Sequence, residues 1–133
     1  MQTFLPYASF DRSFRCLDYK RLGKQRLEAK QILMCLRGEG STGWAKHPAV
    51  KMWVGYESAI ANYLVKCITE WVMRGYNNTM TPPDFTPNAP MPPWLGDDRF
   101  HTSHKSNLLR KEPSHYGRMF GYLPSDLEYV WPK

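Results

Sequence analysis

Apolar positions along the first half of the chain recur at helical spacing. Phe10, Phe14 and Leu17 share one face, and Ser9 ahead of them suits an N-cap, so residues 9–17 read as a short first helix. Asp18 offers a second N-cap. Residues 19–37 read as a second helix whose stripe is Leu22, Ala29, Leu33 and Leu36, with Arg26 and Ile32 beside it and Gly38 and Gly40 as its stop. Gly23 lies inside this helix, where glycine costs roughly 1 kcal/mol relative to alanine. It points to close approach by another helix or by DNA. After the loop GEGSTGWAKH, Pro48 suits a first helical turn. Residues 49–74 then read as a third helix carrying Trp53, Tyr56, Ile60, Tyr63, Leu64, Cys67, Ile68 and Trp71, closed by Gly75.

The periodicity then stops. Six of the eleven prolines fall within residues 76–100, which excludes a helix or a central strand there. Phe85, Met91, Trp94 and Leu95 are interleaved with them, so the segment reads as an extended strap over the helices rather than a free linker. Ser103 is the expected cap of a short helix, 104–111, stopped before Pro113, and the tail HYGRMFGYLPSDLEYVWPK reads as irregular. The pattern as a whole predicts a mainly α fold: a single-domain helical bundle with three principal helices and an irregular proline-rich C-terminal strap. A length of 133 residues fits one domain.

Composition narrows the class. Hydrophobic residues make up 42%, enough to fold a core. No apolar run approaches the roughly 20 residues of a membrane span. The start, MQTFLPYASF, has neither the basic nor the apolar part of a signal peptide, so a cytoplasmic location is expected. Cys16, Cys35 and Cys67 are odd in number, far apart and without a CxxC pair, which argues against a disulfide framework or a thiolate zinc site. They read as small core residues. The formal net charge of +6 favours an anionic partner. Its distribution favours nucleic acid over a merely solubilising surface, because residues 1–37 carry eight Lys and Arg against Asp11, Asp18 and Glu28.

Candidate chemistry lies on the second helix. Arg21, Lys24, Gln25, Glu28 and Ile32 line up at helical periodicity beside the apolar stripe. Spacing alone allows a solvated face with a Lys24–Glu28 pair. It also allows a carboxylate at the edge of a basic cleft, which DNA-sugar chemistry needs for stabilising positive charge at C1′ or moving protons during base loss.

The runs KRLGKQRLEAKQIL and WAKHPAVKMWVGYESAIANYL resemble the pyrimidine-dimer DNA glycosylases of the endonuclease V type, most clearly over about residues 1–75. In that family a His/Arg-Leu pair precedes a catalytic Glu on one helix; Arg21-Leu22 and Glu28 occupy those places. A loose echo of the family's basic-aromatic tail runs from His115 to Tyr122. The resemblance implies a mechanism in which the N-terminal α-amine attacks C1′ of a damaged pyrimidine nucleotide and forms an imine with the opened sugar. Glu assists the proton transfers, and β-elimination cuts the strand. No cofactor is implied. The family's amine normally belongs to a small residue exposed by methionine removal. The bulky Gln2 should block that removal, so the expected amine is that of Met1, with Gln2 beside it.

Other residues carry weaker signals. His47, before Pro48, suits a phosphate contact, an orienting role toward Glu28, or a loop hydrogen bond. Trp44 suits base stacking or packing. In the segment 101–111, His104, Lys105, Ser106, Asn107 and Arg110 suit a phosphate grip at a helix N-terminus. His101, His104 and His115 invite a metal reading, but their spacing fits no common zinc pattern. The leading function is thus a DNA glycosylase acting on damaged or modified pyrimidines, with abasic-site lyase activity, DNA as partner, no membrane, and a monomeric state. The alternatives are a related enzyme processing a modified base, and a non-catalytic nucleic-acid-binding module. The clustered N-terminal cations predict DNA affinity that falls steeply as salt is raised. A titration of binding against ionic strength checks this, and a flat response would remove the charge argument.

Overall fold

The computed structural model describes residues 1–39 and 42–132, and among these it is all-helical. Helix α1 spans Phe10–Cys16, α2 Tyr19–Leu36, α3 Pro48–Lys51, α4 Glu57–Met73, α5 Asp98–Lys111 and α6 Pro113–Phe120, with a 3-10 turn at Thr42–Trp44. Helices α2 and α4 form the central packed pair, α1 lies against α4, and α5 packs on α6.

The first two helices form as their sequences predict. Ser9 Oγ accepts from the Arg12 N–H and starts α1. At the end of α2, Gly38 takes φ +72°, and the Gly38 and Glu39 N–H groups close on the carbonyls of Cys35 and Met34. Gly40 of the expected stop lies outside the described residues. Asp18 precedes α2 but makes no cap bond. Its carboxylate instead accepts from the Tyr116 hydroxyl and from Arg21.

Three expectations are corrected. The expected helix 49–74 is two helices, α3 and α4, broken through Met52–Tyr56, where Gly55 takes φ +85°. The break lets Trp53 and Tyr63 point into the same interior, with ring centroids 5.9 Å apart. The expected cap at Ser103 is displaced upstream to Asp97, whose side chain accepts from the Arg99 N–H, so α5 begins at Asp98. The tail is not wholly irregular: Pro113 at the first turn and the buried pair Tyr116 and Phe120 make α6. The proline-rich strap therefore sits between α4 and α5. It is tied down by Trp94 Nε1 donating to the Met52 carbonyl (3.0 Å) and by the Thr86 N–H donating to Ser58 (2.6 Å).

The most consequential element is not a helix. Residues 1–6 run extended into the interior, with Gln2, Thr3, Phe4, Leu5 and Pro6 all buried. A buried extended segment must find partners for its backbone groups, or each costs free energy comparable to a lost hydrogen bond. With no strand alongside, side chains supply them. Gln25 Oε1 accepts from the Phe4 N–H (2.8 Å) and Gln25 Nε2 donates to the Gln2 carbonyl (2.8 Å). The Tyr63 hydroxyl donates to the Phe4 carbonyl (2.9 Å). His104 Nδ1 accepts from the Leu5 N–H (2.9 Å), and His101 Nδ1 donates to the Leu5 carbonyl (2.7 Å).

Gly23 owes its place to α4. A Cβ there would lie 3.0 Å from the Trp71 ring. That ring cannot yield easily: it stacks on Tyr19, packs on Tyr76, carries the Arg26 guanidinium at 4.1 Å and donates Nε1 to the Asn77 carbonyl. Gly23→Ala therefore gains helix propensity of about 1 kcal/mol but meets an overpacking cost of about 1–3 kcal/mol. The expected result is a net loss of stability in chemical denaturation; a stabilised variant would mean that the Trp71 cluster is soft.

Candidate active site

The site is built where the buried terminus crosses α2. Of the row beside the stripe, Gln25, Glu28 and Ile32 are buried on the core side of α2, while Arg21 is half-buried and Lys24 is exposed. Leu36 of the expected stripe is only half-buried. Glu28 is 9% exposed. Its Oε2 accepts from the Gln2 N–H at 2.7 Å and faces Gln25 Nε2 at 3.5 Å, while Oε1 faces Lys24 Nζ at 3.6 Å. The Gln2 N–H is separated from the α-amine only by the Met1 Cα and carbonyl carbon. The amine, the acid and a lysine thus converge on one place.

Around them opens a cavity of about 400 Å³ lined by Met1, Gln2, Lys20, Arg21, Lys24, Gln25, Glu28, Lys111, Glu112 and Tyr129, among others. Four cations against two carboxylates give it a basic lining suited to phosphates. Arg21 is held by Asp18 (3.3 Å) and Glu112 (3.8 Å), and Lys24 is exposed. Burial raises the Tyr129 phenol to a pKa of about 12, so it stays protonated and able to donate. Rings of Trp44, His47, Trp131, Tyr129 and His104 contact one another in series, and of these Tyr129 lines the cavity.

His47 Nδ1 accepts from the Ala49 N–H as the cap of α3. Its pKa is lowered by partial burial and by the positive terminal amine, against an opposing pull from Glu28. Amine, Glu28 and His47 therefore share one electrostatic neighbourhood. Trp44 is partly exposed at the outer end of the ring series.

The expected phosphate grip at 101–111 is corrected. These residues lie inside α5 rather than at its N-terminus, and His104, Ser106 and Asn107 are buried. Ser106 Oγ donates to the Pro124 carbonyl (2.7 Å), and Asn107 Nδ2 donates to the Ser103 carbonyl (2.8 Å). Lys105 lies over the Tyr7 ring at 4.8 Å, and Arg110 donates to the Ser125 carbonyl (2.9 Å) and to Asn107. Ser106, Asn107 and Arg110 thus hold the tail, His104 holds the Leu5 N–H and Lys105 lies on Tyr7, and of this run Lys111 alone lines the cavity. Gln25 lines the cavity but is 1% exposed and works as a clamp on the terminus. His115 bonds the Cys16 carbonyl through Nε2 (2.9 Å).

Several cavity residues went unread in the sequence. Lys20 had a signal, since Lys20, Lys24 and Glu28 repeat at i, i+4 and i+8 on one face. Lys111 was read only as the end of the donor-rich run 101–111 and Tyr129 had no signal, because only the tertiary fold brings them to α2.

A family model described as pyrimidine dimer DNA glycosylase matches residues 1–84. The chain belongs to the pyrimidine dimer DNA glycosylase family. The match takes in the buried terminus, Glu28, Lys24 and Tyr63, while His101, His104, Lys111 and Tyr129 lie beyond it. No curated protein and no solved structure matches. No helix among the described residues is long and apolar enough to cross a membrane.

The clamp on this family member's terminus is acid-sensitive. Burial lowers the pKa of His101, and burial with the adjacent His101 lowers that of His104 to about 3. Both are held neutral, so their contribution is complete above the unfolded value of about 6.5 and is lost as pH falls toward the folded values. The Asp18 carboxyl behaves differently. Burial alone would raise its pKa, but hydrogen bonds from Tyr116 and Arg21 and the Arg21 charge leave it lowered, so its contribution fades only in stronger acid. Stability in urea should therefore fall as pH drops from about 6.5 toward about 3. His104→Gln should be less stable at neutral pH yet show a shallower slope across that window. An unchanged slope would assign the acid sensitivity elsewhere.

Proposed function

We propose that the protein excises a damaged or modified pyrimidine from DNA and then opens the abasic site through an imine on its terminal amine. The observation that supports this reading is the 2.7 Å hydrogen bond from the Gln2 N–H to Glu28, which keeps chain terminus and buried acid together in one basic cavity. The nucleotide must leave the stack for its C1′ to be reached, and the cavity's volume suits a small ligand. Lys20, Arg21, Lys24 and Lys111 would hold the phosphates on either side.

In this scheme the Met1 amine, once neutral, attacks C1′. Glu28 takes the proton that the nitrogen sheds and returns it during sugar-ring opening. The same carboxylate stabilises the positively charged imine, and β-elimination then cleaves the strand. Binding Glu28 to the chain's own backbone keeps it oriented without substrate, which reduces the reorganisation left for the chemical step.

Glu28→Gln retains the shape and an acceptor for the Gln2 N–H but removes the charge. It should fold and bind DNA while releasing base at least about a hundredfold more slowly, the scale of a lost acid–base group. In parallel, borohydride added during turnover should fix a protein–DNA crosslink that maps to Met1, strengthens as the amine is deprotonated, and disappears when the terminus is acetylated. Full activity in Glu28→Gln would reduce that residue to a structural role. Base release without any crosslink would replace the amine by water, and neither activity would leave a DNA-binding module.

A further inference from the structure

The cations of the cavity are not equivalent. Arg21 is pinned between Asp18 (3.3 Å) and Glu112 (3.8 Å). Lys20 and Lys111 line the same cavity, but among the described residues the cation paired with Glu28 is Lys24. Its Nζ lies 3.6 Å from Glu28 Oε1, and its side chain is 73% exposed against 12% for Glu28. The carboxylate is fixed through its other oxygen by the Gln2 N–H at 2.7 Å. One partner of the pair is therefore held, and the other is free to turn. Their separation is longer than a charge-assisted hydrogen bond, so the ammonium gives up little when it turns to another anion. Stability does not account for the pair. An exposed i, i+4 contact with the lysine ahead of the glutamate is the weaker of the two orders and adds little.

We propose that Lys24 is a catalytic residue of strand cleavage: its ammonium meets the phosphate that leaves from C3′ while Glu28 takes the proton from C2′. This rests on the lyase reading above. Glu28 has returned its first proton during ring opening and is free to accept another. The positively charged imine at C1′ makes the C2′ proton removable. That proton passes to Glu28, and the electron pair of the C2′–H bond becomes the second bond between C2′ and C3′. The C3′–O3′ bond breaks with its pair on the departing phosphate, which gains one negative charge. Proton loss and charge gain thus start from adjacent carbons. A base and a cation that serve both from one face of the sugar must themselves be neighbours. Glu28 Oε1 and Lys24 Nζ are such neighbours, one helical turn apart on α2 and both on the cavity wall. A preorganised positive group placed where charge develops lowers the barrier of that step. The earlier steps are centred on C1′ and make no such demand.

Two variants test this. Lys24→Met keeps the stem and removes the charge, and Lys24→Arg restores a cation. Each is compared with the unsubstituted protein, at saturating protein, on a duplex with a preformed abasic site. Borohydride trapping reads imine formation and shows that the variant is folded and bound; strand cleavage reads the elimination. The proposal expects Lys24→Met to cleave more slowly by on the order of tenfold to a hundredfold, less than the 10²–10³ of a buried donor because Lys24 is largely exposed. Trapping should be far less affected, and Lys24→Arg should recover most of the cleavage rate. On a duplex with a methylphosphonate 3′ to the abasic site, the departing group carries one negative charge fewer, and the loss in Lys24→Met should be much smaller. Trapping and cleavage falling together would make Lys24 a DNA-holding residue. Unchanged cleavage would leave it without a part in the step, and an equal loss on both linkages would mean that its charge does not meet the leaving phosphate. Each of these overturns the proposal. The lyase reading itself is decided on the unsubstituted protein: if that neither traps nor cleaves the abasic duplex, the reading falls and the assignment of Lys24 falls with it.

Discussion

An extended segment buried in an all-helical interior has no ladder to join, and its peptide groups must be met one at a time by side chains. The whole molecule is arranged around that requirement. Residues from α2, α4 and α5 each give up a place in the apolar core to a polar group, and those groups are committed to the backbone of residues 2–5, Gln25 to two of its peptides. The histidines illustrate how specific the commitment is. The Gly96 N–H donates to His101 Nε2, so the ring proton sits on Nδ1 and points at the Leu5 carbonyl. His104 must present the opposite arrangement, with Nδ1 bare to accept from Leu5.

The same requirement explains why an acidic side chain is tolerated so far inside. Glu28 is one more acceptor in the series that holds the terminus, and it is satisfied by a peptide N–H, by Gln25 and by the Lys24 ammonium. A buried carboxylate with these partners is not an electrostatic liability. Its remaining exposure is toward the cavity. Anchoring and the proposed chemistry thus draw on one residue, so a change to the anchor also alters the lining of the cavity.

The sequence carried this design unevenly. Helices α1 and α2 were readable because their caps, stripes and glycine stop are local. Glu28 was readable as a candidate because its spacing from Lys24 and Arg21 is local too. The break between α3 and α4 was hidden because Trp53 and Tyr56 happen to continue the helical spacing of α4 across Gly55. Helix α6 was hidden because Gly117 lowers its intrinsic propensity, and its formation depends on burying Tyr116 and Phe120 against the rest of the fold. The segment 101–111 was misread for a related reason. A run dense in hydroxyls, amides and imidazoles looks like a surface, and only the presence of a non-helical segment in need of partners turns it inward. That need arises from residues 2–5, about a hundred positions away, which no window along the chain could connect.

That separation has a consequence for how the molecule assembles. Leu5 closes on His104 across 99 residues, Asp18 on Tyr116 across 98, and Cys16 on His115 across 99. Helical proteins fold quickly when their contacts are local, and closures of this span slow the search. Helices α1, α2 and α4 can form early, but the groove that receives the first residues lacks one wall until α5 docks. During synthesis residues 2–5 are made long before α5 and find their last partners late, so this segment is ordered only after α5 has been made.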